Sequence, residues 1–411
     1  MRVAFYAPLK PPSHPVPSGD RRIARLLLRA LRRAGHDVRV VSTFRSYEGE
    51  GDRAKQDEIE RRGAREVERL LRTKLKRWRP QAWFTYHVYQ KAPDWLGPPI
   101  AKALGIPYLV AEAAYAPRRS TGRWDRGLAA VADALHQADT VFMLNPNDEE
   151  CVAPLLRRRA GAVHAIKPWL RTEGFAAWAK RRKRRPAAAE PMLPFLDVAP
   201  YRRAHARRRM HRANLSARHG IPVQEPWLLA VGMMREGDKL ASYRVLAKAL
   251  AGLERARWRL LVVGDGPARG TVRAAFARFG ARVHWLGLRG EGDLRRIYAA
   301  SDLLVWPGMN EAIGMAVLEA QAAGLVAVVG DVGAMSSIVR EPAGTLVKEG
   351  DAAAFRRAGA AYHGHPPEVH AAMSEAASAK AWAFHDLPFA AAQLGRVLAA
   401  AVARAKAGRR R

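Results

Sequence analysis

The chain has 411 residues, 49% of them hydrophobic, which is enough for two domains with separate cores. Its 70 Lys and Arg exceed 38 Asp and Glu, so the formal charge is +32 and the field favours anionic partners: nucleotides, anionic lipid or nucleic acid. The lone Cys151 excludes a disulfide framework or thiolate metal site, and apolar runs such as 312–330 are interrupted before membrane-spanning length, so a cytoplasmic protein is expected.

The chain opens on an apolar strand at residues 2–6, which reads as a strand and not as a signal peptide. A loop over 8–20 leads to an Arg-rich amphipathic helix from about Arg21 to Ala34, and Val38–Val41 returns as a strand. This βαβ pattern places Ser18-Gly19-Asp20 at a helix entrance, where doubly wound sheets bind ligands. Residues 59–78 predict a helix with Ile59, Val67, Leu70, Leu71, Leu75 and Trp78 on one side. Its basic face fits a solvated, sheet-covering helix or one docking on an anionic membrane. A strand over 81–86 delivers His87, Tyr89 and Lys91 to a loop, then a helix (94–104) leads to a strand ending at Glu112, so His87 and Glu112 become candidate site residues. Another strand, 139–144, runs into Asn145-Pro146-Asn147-Asp148 as a helix start.

Between about 155 and 220 the alternation degrades into basic clusters (157–159, 180–185, 207–209) among prolines, read as an inter-domain connection with the apolar piece 192–197 ordered at a hinge. Those clusters are either solvated or bind anionic headgroups. No aromatic-interleaved or helix-turn-helix pattern accompanies them, which argues against specific nucleic-acid recognition. From Trp227 strand and helix alternate regularly, predicting a parallel sheet with right-handed crossovers. Arg235 and Lys239 follow the first of these strands as fixed cations able to meet a diphosphate. The decisive stretch is 302–324: a strand ending at Trp306, a Pro/Gly turn, then a helix expected from about Ala312 to Gly324. Its mouth suits phosphate, Gly314 admits close approach, and Glu311 and Glu319 lie eight residues apart, roughly 12 Å along a helix.

The ordered set Arg235/Lys239, 262–267 (VVGDGP), 283–287, Ala300-Ser301-Asp302, Pro307, 311–314 (EAIG) and 318–320 (LEA) resembles the nucleotide-sugar half of the family 4 retaining glycosyltransferases. The likeness is dense over 225–350 and looser in 1–150, where 35–38 (GHDV) and 102–108 (KALGIPY) share the family's flavour. The resemblance implies an α/β fold of GT-B type, two Rossmann-like domains with parallel sheets facing across a cleft. The domains are expected at 1–200, completed by a C-terminal helix within 380–411 crossing back, and at 212–375. It further implies that Arg235 and Lys239 neutralise the donor diphosphate, Glu311 holds the sugar, and Glu319 accepts from the ribose. Gly232, Gly264, Asp265, Gly266, Asn310, Ala312, Ile313, Gly314 and Met315 would line the donor, with the base near Leu286, Gly287 and Arg289, and Gly19 under the diphosphate. Departures from the family pattern are a single Gly19 in place of a Gly-Gly pair, Glu112-Ala113 where a histidine is common, and a short Arg235–Lys239 spacing.

The reading is therefore a metal-independent, cofactor-free, retaining glycosyltransferase using a nucleotide-diphosphate sugar. Its acceptor is unidentified, with lipid-linked and glycan acceptors both compatible, and peripheral contact with the inner face of an anionic membrane is a further expectation. The alternatives are a catalytically degenerate nucleotide-sugar-binding protein and a nucleotide-sugar epimerase.

Overall fold

The computed structural model describes residues 1–16, 18–117, 121–157 and 189–408. The basic clusters expected at 158–159 and 180–185 lie outside these residues. The chain folds into two compact units, Met1–Met192 with Leu387–Arg411, and Leu193–Asp386. Residues 193–200, expected with the first domain, thus belong to the second. The returning helix, Leu387–Gly408, lies within the expected 380–411, and the helix before it, Pro367–His385, belongs to the second unit.

In the first unit six parallel strands stand in the order β2-β1-β3-β4-β5-β6: β1 Arg2–Tyr6, β2 Asp37–Val40, β3 Ala82–Val88, β4 Tyr108–Ala113, β5 Thr140–Met143 and β6 Ala189–Pro191. The inner strands β3, β4 and β5 are buried almost throughout, as expected where helices cover both sheet faces. Phe5, Phe84 and Phe142 form a row across the sheet with centroids 5.8 Å apart at each step. The expected helix over 59–78 is two helices, Arg53–Arg72 and Lys74–Trp78, broken at Thr73; Leu70, Leu75 and Trp78 are buried. The Leu387–Gly408 helix packs on the helix Gly19–Arg33, with Gly395 against Ala34, and Gln393 donates to the Pro191 carbonyl at 2.6 Å.

The second unit holds another six parallel strands, ordered β12-β11-β10-β7-β8-β9: β7 Trp227–Val231, β8 Arg259–Val263, β9 Val283–Gly287, β10 Leu303–Trp306, β11 Val326–Gly330 and β12 Gly344–Val347. The basic cluster 207–209 is neither solvated excess nor a headgroup site as a whole. It opens the helix Arg208–His219, where Arg208 donates to the Ala299 carbonyl at 2.8 Å and pairs with Asp302. Arg212 pairs with Asp302 at 2.9 Å, and the Trp227 backbone N–H donates to the same carboxylate at 2.7 Å. One carboxylate thus ties a helix to the bottoms of two strands. Asp302→Ala is expected to destabilise the protein by about 3 kcal/mol, because it strands two guanidinium groups in a largely buried site. A urea midpoint unchanged from wild type would show that these bonds contribute nothing net.

Candidate functional site

Four loops meet at the carboxyl edge of the second sheet, following the adjacent strands β11, β10, β7 and β8. Gly264 and Gly266 have φ of 147° and 152°, and a Cβ on them would lie 1.9 Å from the Gly232 carbonyl and 2.3 Å from that of Met234. The β7 and β8 loops therefore run backbone against backbone, which only glycine permits. Asp265 caps this turn, accepting from the Gly266 N–H at 2.8 Å. After β11, a Cβ on Gly333 would meet the Glu311 carbonyl at 2.1 Å, and the Ala334 N–H donates to the Ala312 carbonyl at 2.9 Å.

The β10 loop corrects one expectation. The helix runs Met315–Ala322, so Glu311 precedes it, and the helical spacing assumed between Glu311 and Glu319 does not apply. Gly308, Asn310 and Gly314 all have positive φ, and distant groups hold this coiled turn open. Ser242 Oγ accepts from the Met309 N–H at 2.9 Å, Glu349 from the Asn310 N–H at 2.6 Å, and Asp238 from Asn310 Nδ2 at 3.0 Å. Glu311 is thereby brought to Lys239, whose Nζ donates to its Oε2, while Trp306 Nε1 lies 3.4 Å from the same oxygen. Lys239 Nζ also sits 5.3 Å from the Trp306 ring centre, a cation–π contact. Tyr243 packs edge-on against Trp306 and donates to the Gly232 carbonyl at 2.8 Å, fixing the floor of this group.

Other expected donor residues are distributed as follows. Arg235 is exposed in the β7 loop, with no side-chain bond among the described residues. Glu319 is inside the helix and only 3% exposed. Ile313 and Leu286 are buried, Ala312 is exposed, and Gly287 has open space around it; Leu288, not Leu286, presents its side chain, at 61% exposure. Gly19, in the first unit, has nothing within 4 Å of a built Cβ; it opens a helix capped by Ser18, so local packing does not require glycine there.

His87 lies inside β3 and not in the loop beyond it as expected, Glu112 lies at the carboxyl end of β4 as expected, and both have φ of 62°. Left-handed backbone in two adjacent strands is strained for such residues and turns their side chains together. His87 Nδ1 lies 3.0 Å from Asp20 Oδ1 and 3.9 Å from Glu112 Oε1. Burial disfavours the His87 imidazolium, but the Glu112 charge and the Asp20 hydrogen bond outweigh it and push the pKa up to about 9. Burial also works against Asp20, yet the His87 bond brings its carboxyl below the usual range. Glu112 is raised, first by burial, against a stabilising His87 charge, and Asp148 is pushed up to about 7 by burial and then by Glu112. Sequence reading named Asp20 and Asp148 only as parts of helix starts. Their partnership with His87 spans 67 residues in one case and two further strands in the other, which no local pattern records.

The raised His87 pKa has a definite sign. The stability it gives is complete below the ordinary value of 6.5 and disappears as pH rises through about 9. The melting-temperature gap between wild type and His87→Gln should therefore shrink over that window; a gap constant with pH would refute the charged pair.

A groove of about 1050 Å³ beside β2 is lined by Val41, Phe44, Arg45, Arg62, Arg69 and Lys74, among others. Arg69 is held by Glu66 at 2.6 Å and Lys74 acts on the same carboxylate, whereas Arg45 and Arg62 have no carboxylate within ion-pair distance among the described residues. Among those residues no helix is long and apolar enough to cross a membrane, and no group of three His, Cys, Asp or Glu is placed to hold a metal ion.

Two Rossmann-like units with parallel six-stranded sheets define the GT-B architecture. The same fold is seen in sucrose-phosphate synthase from Thermosynechococcus elongatus (TM-score 0.70, 19% identity, covering 98% of this chain and 100% of that one). It recurs in Anabaena HepE in complex with UDP-glucose (TM-score 0.68, 15% identity, 97% and 100% covered). Residues 225–362, within the second unit, match the family model of glycosyl transferases group 1. A D-inositol 3-phosphate glycosyltransferase from Nocardia farcinica is 32% identical over 150 residues, 34% of this chain and 33% of that protein. An uncharacterized glycosyltransferase from Methanocaldococcus jannaschii is 31% identical over 123 residues, 29% and 31% of the two chains. The chain thus spans about a third of the length of these curated relatives.

Proposed function

We propose that the protein transfers a sugar, with retention and without a metal, from a nucleotide-diphosphate sugar held by its second unit. The observation that carries this reading is the Lys239–Glu311 pair at the meeting of four glycine-rich loops, within the segment that matches the glycosyltransferase family. In this reading Arg235 and Lys239 take the diphosphate, and fixed cations do the work that a divalent ion does elsewhere. The backbone at 312–315 lines the phosphates and sugar, Glu311 binds sugar hydroxyls, Glu319 accepts from the ribose, and the base lies near 286–289. Since HepE was crystallised with UDP-glucose, UDP-sugars are the first donors to test.

The direct experiment incubates the protein with a panel of nucleotide sugars and follows release of nucleoside diphosphate, with and without EDTA. Acceptor-dependent release insensitive to EDTA supports the reading; no turnover and no binding of any nucleotide sugar ends it. The anomeric configuration of the product, read by NMR, tests retention. A second reading is nucleotide-sugar epimerisation, whose chemistry uses acids and histidine; the first unit groups such residues in Asp20, His87, Glu112 and Asp148. It predicts release of an epimerised free sugar without any acceptor.

Peripheral contact with an anionic membrane is also proposed, through the unpaired cations of the β2 groove. Sedimentation with liposomes should require anionic lipid and fall as salt rises; absence of binding at low salt would end the idea.

A further inference from the structure

The carboxyl cluster of the first unit sets three carboxyls, Asp20, Glu112 and Asp148, around one imidazole, His87. Asp20 and His87 are bonded at 3.0 Å and cancel one another. Glu112 is 7% exposed; its Oε1 is 3.9 Å from the shared His87, and its Oε2 has no hydrogen-bond partner among the described residues. The Tyr86 hydroxyl favours ionised Glu112 without supplying a charge. Asp148 feels the Glu112 charge as repulsion, offset among the described residues by His87 and the neutral Asn145. Lys10 acts on Asp20. Among the described residues, neither Glu112 nor Asp148 has a Lys or Arg within ion-pair distance. Within the cluster the Asp20 side chain is 33% exposed.

We infer that this cluster receives an acceptor bearing an ammonium group, an amino sugar or an amino-polyol, with Glu112 and Asp148 flanking the cation. The inference rests on the glycosyl-transfer reading and names the class of acceptor. A neutral polyol offers hydroxyl donors but leaves two carboxyls competing for one imidazolium in a site poor in water. An ammonium brings three donors and the missing charge together. Its arrival favours the ionised forms of both acids, so binding releases protons that a neutral ligand does not displace.

The test is calorimetry on the full chain with matched pairs: glucosamine against glucose, and an aminocyclitol against inositol. The amino compounds are expected to bind about ten to a hundred times more tightly, one charge-assisted contact's worth. Repeating the titrations in buffers of different ionisation heat should reveal proton release for the amino members alone. Asp148→Asn and Glu112→Gln should each shrink the preference, with nucleoside diphosphate affinity as the check that the second unit is intact. Equal or absent binding of the two members of each pair, or a preference untouched by both substitutions, overturns the inference. Nucleoside diphosphate affinity measured on the same wild-type protein then shows whether the donor reading stands without it.

Discussion

Glu311→Gln is expected to lower sugar transfer by about a thousandfold while nucleoside diphosphate affinity stays at or above that of the wild type. The two effects separate because the carboxylate has two relations to the donor. Toward the sugar it is an acceptor whose charge strengthens bonds to the hydroxyls as positive charge develops at the anomeric carbon. Toward the diphosphate it is a like charge, and in the free protein it holds the Lys239 ammonium through a direct ion pair. Gln keeps the shape and an oxygen for the Trp306 indole N–H, which lies 3.4 Å from Glu311 Oε2, so the turn should survive. It releases Lys239 to the phosphates and removes the repulsion. Single-turnover transfer and calorimetry with UDP, run on the same preparation, read both quantities. Transfer within a few-fold of wild type would remove Glu311 from the chemistry, and a matching loss of UDP affinity would place it in the phosphate site.

The same residue shows what the sequence could and could not convey. Strand–helix alternation from Trp227 onward, and the glycines after β7, β8 and β10, are local patterns, and they led directly to the edge where Lys239 and Glu311 meet. The path of the chain between Trp306 and Met315 was not local. Gly308, Asn310 and Gly314 hold positive φ because Ser242, Asp238 and Glu349 bind the turn, the last from 39 residues away. A helix drawn back to Ala312 was therefore the natural expectation and was three residues early. Charge misled in the opposite way at Arg208, whose cluster 207–209 reads as solvated or headgroup-binding, and Arg212 one turn on shares its fate. Both are spent on Asp302 and on carbonyls at the end of the helix Glu291–Ala300, a fact set by tertiary pairing some 90 residues apart. The first-unit cluster was half legible: strand ends pointed to His87 and Glu112, while Asp20 and Asp148 joined them only through the order of strands in the sheet.

Removing both cations that follow β7, one in its loop and one in the first turn of the helix Asp238–Leu250, should have the next largest effect: Arg235→Ala with Lys239→Ala is expected to weaken UDP binding by about two to three orders of magnitude, roughly two charge-assisted contacts. The free protein predicts how the loss divides. Arg235 is exposed and makes no side-chain bond among the described residues, so its single substitution removes only what it does for the ligand. Lys239 is bonded to Glu311, and its loss leaves a half-buried carboxylate facing the phosphates unopposed. Lys239→Ala alone should thus weaken UDP binding more than Arg235→Ala, and adding Glu311→Gln to it should restore part of the affinity. That restoration is the sharper readout, because a remote structural disturbance has no reason to be relieved by neutralising one acid. The salt dependence of binding should flatten in the double variant as the fixed charges disappear. Equal UDP affinity in wild type and double variant would move the diphosphate away from the β7 loop, and with it the assignment of Glu311 to the sugar.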